Sequence, residues 1–288
     1  MKMNSHETLE RDLLERYRRI GKECEPDWAV HKRNMDGIVK ATIPFIGKHY
    51  VQQTKKILVY ASAENLAGYR KSKPDWWKGD PLDNDLWAEN RHRRSFEEWN
   101  KGNEGFFPNV HIAPMNDGRL ATAGLYIVWK LFGLEFNTPG EFYESIAFAN
   151  YGKYSIETAQ QRGERLGQET RKSRANMDYA GNSELMSVSH KLIQADLDVL
   201  KPDCIIMPKT MYWADKAFVD AHRGEAIIVP ISQMNSRVIN CHISRMYSPY
   251  EMERLPLTVQ KWLVKLEKAE KYLSVFGYLD HVIDKEVQ

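Results

Sequence analysis

Residues Lys55 to Tyr69 read KKILVYASAENLAGY, and the reading of this stretch decides the fold. Ile57 to Tyr60 form a short apolar run rich in β-branched and aromatic side chains. Small and polar residues follow from Ala61 to Asn65, ahead of Gly68. That pattern is a buried strand ending in a loop. In an open α/β sheet the loop at the carboxyl end of a parallel strand rims the crevice where ligands bind. Glu64 and Asn65 would stand there, a carboxylate beside an amide. The same Ser62-Ala63-Glu64-Asn65 run also suits the N-terminus of a helix, and the local sequence leaves both readings open.

Working outward, three more stretches read as core strands: Phe142 to Asn150 (FYESIAFAN), with Asn150 at its carboxyl end, Asp203 to Met207 (DCIIM) and Ala226 to Val229 (AIIV). Helical periodicity fills the gaps between them. After the turn Asn116-Asp117-Gly118, a helix carries Leu120, Ala123, Leu125, Ile127, Val128 and Leu131. Gly133 then sits where a helix C-cap wants positive φ. Ser183 to Leu200 is a helix stopped by Pro202, Thr210 to Ala221 is helical, and a closing helix covers about Leu255 to Leu273. Upstream, Glu7 to Ile20 bears an apolar stripe of Leu9, Leu13, Leu14, Tyr17 and Ile20. Asp27 to Tyr50 reads as another helical region interrupted near Gly37 and Pro44, with Pro26 at or near a helix start. Strands alternating with helices at this spacing predict a three-layer α/β sandwich whose central sheet is four-stranded and mainly parallel. The expected organisation is a helical cap over 1–54, an α/β domain over 55–255 with a Trp-rich insertion at 73–107, and a C-terminal helix over 256–288 packed on the domain.

Forty-one lysines and arginines against 39 acidic residues leave a net charge of +2 in 288 residues. That argues against a general polyanion coat and leaves room for a local basic groove. No run approaches the roughly 18 apolar residues of a membrane span, and MKMNSHETLERDLLERY lacks the apolar core of a secretory signal. A cytoplasmic protein with no membrane partner is expected. Cys24, Cys204 and Cys241 fit neither a disulfide framework nor a paired metal motif. No metal or cofactor is expected, and Cys204 is read as core. The insertion from Lys73 to Phe107 mixes Trp76, Trp77, Trp87, Phe96 and Trp99 with Arg91, His92, Arg93 and Arg94. Such a mixture suits either a single-stranded nucleic-acid surface or a ring cluster beneath a lid. The basic stretch from Glu157 to Asn182 is either solvated or phosphate-contacting.

The order of ILVYASAEN (57–65), DGRLATAGLYIVWKLFGL (117–134), IAFANYGKYS (146–155), LKPDCIIMP (200–208) and CHISRMY (241–247) resembles the uracil-DNA glycosylase superfamily. The likeness covers about two thirds of the chain. It implies a compact α/β fold with a largely parallel sheet and excision of uracil or another modified base from DNA. It also implies an acid in the first loop, an asparagine ending the second strand and a late loop opening on histidine. The first loop here lacks the usual proline, Glu64 falls one or two positions late, Met115 stands near the position of a phenylalanine that stacks on the base, and Ile243 replaces a proline.

Base excision asks for three things. The extruded base must be read along its Watson–Crick edge, a task for the Asn150 amide with Asn65 and Met115 alongside. The oxocarbenium-like sugar needs a carboxylate that also orients water, and Glu64 is the acid in the loop. Negative charge gathering on the departing base needs a donor, supplied by His242. Ser244, Arg245 and Arg119 are the candidate phosphate contacts. Because the first loop departs from the family pattern, a second reading stands beside the first. It is a base- or nucleic-acid-binding module with altered catalysis on the same fold.

Overall fold

The computed structural model describes residues 5–32, 39–40, 43–62, 119–155, 183–232, 250–264 and 270–286, with single positions at 160, 163, 167 and 168. These form, in chain order, α1 (His6–Lys32), β1 (Val39–Lys40), β2 (Phe45–Ile46), β3 (Ile57–Ala61), α2 (Arg119–Phe132), α3 (Pro139–Tyr143), β4 (Ala147–Asn150), β5 (Tyr154–Ser155), α4 (Ser183–Leu200), β6 (Cys204–Pro208), α5 (Lys209–Ala214), α6 (Lys216–His222), β7 (Ile227–Ile231), α7 (Leu257–Val264) and α8 (Glu270–Glu286).

The central sheet has the order β2-β4-β3-β6-β7. Strands β3, β4, β6 and β7 run parallel, and β2 lies antiparallel on the β4 edge. The α/β class and the parallel core are as expected. A fifth strand, Phe45–Ile46, is added from a segment that had read as helical. The chain steps from β3 to β4 in one direction, then crosses back past β3 to β6. Parallel crossovers are right-handed, so this reversal sends the connecting helices to opposite faces.

Register makes the two faces concrete. Val59, Phe148, Ile206 and Val229 align across the four parallel strands and share one core with Val128, Leu263 and Leu279 of α2, α7 and α8. Their alternates Leu58, Ala147, Ile205 and Ile228 share the other core with Leu13 and Tyr17 of α1 and Leu192 and Ile193 of α4. Being buried on both faces, the strands read as continuous apolar runs rather than alternating ones. Each fully buried aliphatic or aromatic side chain contributes about 1.5–3 kcal/mol.

Several boundaries differ from those expected. The run from Phe142 to Asn150 is a strand only over Ala147–Asn150. Thr138 accepts the Glu141 N–H through Oγ1 at 3.1 Å, and Pro139 occupies the first helical turn. That capping chemistry winds Pro139–Tyr143 into α3 in spite of its aromatic β-formers. Helix α1 continues through Pro26 to Lys32, so no helix starts at Pro26. The proline removes one donor from the ladder and the helix runs on past it. Beyond it the segment turns extended, at β1 and β2, instead of helical. Thr210 to Ala221 divides at Asp215, whose backbone at φ −130°, ψ 25° leaves the helical region. The single closing helix is two, α7 and α8.

Gly133 takes φ +65° and its N–H donates to Trp129 O at 2.8 Å, the expected end of α2. Gly47 has a different reason to be glycine. Its N–H donates to Ile146 O at 2.9 Å, and a Cβ there would overlap the backbone carbonyl of Glu144. Gly47→Ala should therefore cost about 3 kcal/mol through overpacking, against about 1 kcal/mol for Gly133→Ala, where only the backbone conformation resists. Urea denaturation of the two variants measures that contrast.

Cys204 is buried, and its surroundings push the thiol up to about 12, chiefly by desolvation and secondarily through the charge of Asp203. At pH 8 the folded protein should leave Cys204 unmodified by iodoacetamide, with labelling appearing on unfolding; peptide mass mapping reads both states. The folded thiol keeps its proton to higher pH than the unfolded one, so stability should fall as pH rises from about 9 toward about 12.

Candidate functional site

Asn150 is the last residue of β4, in register with Ala61 at the end of β3. Just beyond them the Tyr151 N–H donates to Ala61 O at 2.8 Å and the Gly152 N–H to Ser62 O at 2.7 Å. Pairing thus continues past both strand ends and fixes the rim of the sheet there. By alternation the Asn150 side chain lies on the face of Val59 and Phe148. It is 3% exposed, and its Nδ2 has no hydrogen-bond partner. A buried donor left unsatisfied costs about 1–3 kcal/mol. Such a group in a folded protein calls for a specific explanation, and at the carboxyl end of a parallel strand a ligand is the natural one.

The opposite face of the same strand end is held by a polar cluster inside the core. Asp196 of α4 is fully buried, and Lys153 is 1% exposed. The Asp196 carboxylate accepts hydrogen bonds from Tyr17 Oη at 2.6 Å and Tyr60 Oη at 2.9 Å, and it pairs with the Lys153 ammonium. The ammonium lies 5.1 Å from the centre of the Tyr60 ring and 5.8 Å from that of Tyr17. Four segments meet here: α1, β3, the chain after β4, and α4. Burial raises both phenols well above the ordinary tyrosine range, and the adjacent carboxylate adds to it. Burial also lowers the Lys153 ammonium, with Asp196 opposing.

Next to this cluster stands a second one. Tyr151, buried, donates from Oη to Asp215 Oδ2 at 2.6 Å and meets the Tyr60 ring edge-on at 5.3 Å between centres. His190 of α4 places Nε2 at 2.9 and 2.8 Å from the two Asp215 oxygens. Its ring stacks on Phe218 at 3.8 Å between centres and 5° between planes. Asp215 thus joins the end of β4, α4 and the junction of α5 with α6.

Of the residues singled out in the sequence, Asn150 is described in full. Arg119 opens α2, with its side chain outside what is described. Glu64, Asn65, Met115, His242, Ser244 and Arg245 lie outside the described residues, as does the Trp-rich stretch 73–107. Glu64 follows Ala61 by three positions in the chain, and Ala61 is the register partner of Asn150. Among the described residues no group of three or more His, Cys, Asp or Glu side chains could hold a metal ion. No described helix is long and apolar enough to cross a membrane.

The sequence reading passed over Lys153, Asp196, His190 and Asp215. A signal for Asp196 was present: it falls on the stripe of Leu192, Ala195 and Val199 along α4, a carboxylate where a helix should be apolar. Lys153, between Tyr151 and Tyr154, offered the matching charge. No family model matches the chain, and neither characterised proteins nor solved structures give a significant match.

Asp196→Ala strands a buried ammonium and two phenols and should cost about 3–5 kcal/mol. Lys153→Met should cost less, since Asp196 keeps both phenol donors. Because Lys153 loses its proton more readily folded than unfolded, it opposes folding at pH 7, and that opposition fades as pH rises toward 10.5. Urea midpoints of the two variants, taken across pH, measure both effects.

Proposed function

We propose that the chain is a DNA glycosylase-like hydrolase that cleaves the N-glycosidic bond of a flipped uracil or other modified base. The observation that carries this reading is the Asn150 carboxamide. It is a buried donor without a partner, on a strand end beside the end of β3. What Nδ2 lacks is an acceptor. A keto base supplies one through an exocyclic oxygen, whereas the exocyclic amino group of cytosine would set donor against donor. A buried amide of this kind discriminates strongly, because the wrong partner leaves it unpaired.

The rest of the proposed chemistry falls to the residues that the sequence nominates. Glu64, shortly after β3, stabilises positive charge on the sugar and orients the attacking water. His242 donates to the base as it departs with the bonding electrons. Ser244, Arg245 and Arg119 hold the flanking phosphates of the DNA partner. Water adds to the anomeric carbon as the C–N bond breaks, and the base takes up a proton.

A second reading is favoured by one specific observation. ASAEN carries neither the proline nor the acid in the register that the family resemblance implies. A module that binds a base or nucleic acid without cleaving it would keep the Asn150 amide and dispense with Glu64.

Single-stranded and mismatched uracil-containing oligonucleotides separate the two. Excision by the wild-type chain should fall roughly 10- to 100-fold in Asn150→Ala and about 100-fold in His242→Ala, and Glu64→Gln should abolish most of it. Binding without product would favour the module. Product undiminished in both Asn150→Ala and Glu64→Gln would remove this site assignment.

A further inference from the structure

We propose that Asp215 is a positioning residue for the Asn150 carboxamide, acting through Tyr151. This rests on the reading of Asn150 as the amide that meets the ligand. Consecutive strand residues point to opposite faces, so Asn150 and Tyr151 share one backbone segment while their side chains diverge. Tyr151 is anchored on its own face: Oη donates to Asp215 at 2.6 Å, the ring packs edge-on against Tyr60, and the N–H donates to Ala61 O at 2.8 Å. The Asp215 carboxylate is itself held by His190 Nε2 at 2.8 and 2.9 Å. No such anchor restrains the Asn150 Nδ2. The amide's direction is therefore set by the backbone at the strand end, and Asp215 holds that backbone from behind. An amide oriented in advance binds its ligand without an ordering cost, so a supporting shell of this kind governs affinity.

Asp215→Ala, Asp215→Asn and Tyr151→Phe test this. Asparagine at 215 keeps an acceptor for Tyr151, and phenylalanine at 151 removes only the hydroxyl while keeping the ring. In the intact protein, Asp215→Ala and Tyr151→Phe should speed amide hydrogen exchange at Tyr151 and Gly152 by roughly tenfold beyond any change in global stability. They should also move the Asn150 side-chain NH₂ resonances, with Asp215→Asn restoring both signals. On uracil-containing single strands the same two variants should raise KM more than they lower kcat. Asn150 resonances and local exchange that stay at wild-type values in both variants would overturn the inference, even if global stability drops. A wild-type chain that excises nothing would count against the proposed function, while the exchange and resonance measurements still decide the role of Asp215.

Discussion

One fully buried carboxylate joins four segments of the described structure. Asp196 collects hydrogen bonds from Tyr17 and Tyr60 and the charge of Lys153, and in doing so ties α1, β3, the segment after β4 and α4 to a single point. In a low-dielectric interior such a network is strong when every member is satisfied and costly when one is missing. Such a network is a weak argument for net stability, since apolar groups of the same volume often serve as well or better. What it supplies is uniqueness, because only one relative placement of the four segments brings two phenols and an ammonium to the same two oxygens.

That placement has a consequence at the rim of the sheet. With Lys153 fixed by Asp196 and Tyr151 fixed by Asp215, the backbone just after β4 is restrained on one face at alternate residues. The intervening pairing to Ala61 and Ser62 restrains it along the sheet. Asn150, at the last step of the strand, is left as the polar group on the other face, buried and with its donor unused. A rigid strand end that presents an unsatisfied amide is a form of preorganisation.

In open α/β sheets generally, ligands bind outside the carboxyl ends of the strands, where the strand order reverses. The connection leaving β3 leads to α2 on one face, and the connection leaving β6 leads to α5 and α6 on the other. The strand order therefore reverses at the junction of β3 with β6, a topological switch point. Asn150 lies one strand away from it, level with Ala61. Asn150 and the reversal of strand order thus lie at the same carboxyl edge of the sheet, a coincidence that rests on handedness and register.

The sequence alone determined the class of the fold. Apolar runs such as ILVY and CIIM, too short for helices and free of alternation, read as strands buried on both faces, and the helices between them favour a parallel sheet. It also placed Asn150 at a strand end and Gly133 at a helix end, since both follow from local pattern. Tertiary structure decided the rest. Phe45 and Ile46 found β4 as an edge partner, and Asp196 drew in residues up to 179 positions away. Periodicity reports which face of an element is buried. It carries no information about which distant side chain waits on that face, because contacts of that range are settled only when the layers pack.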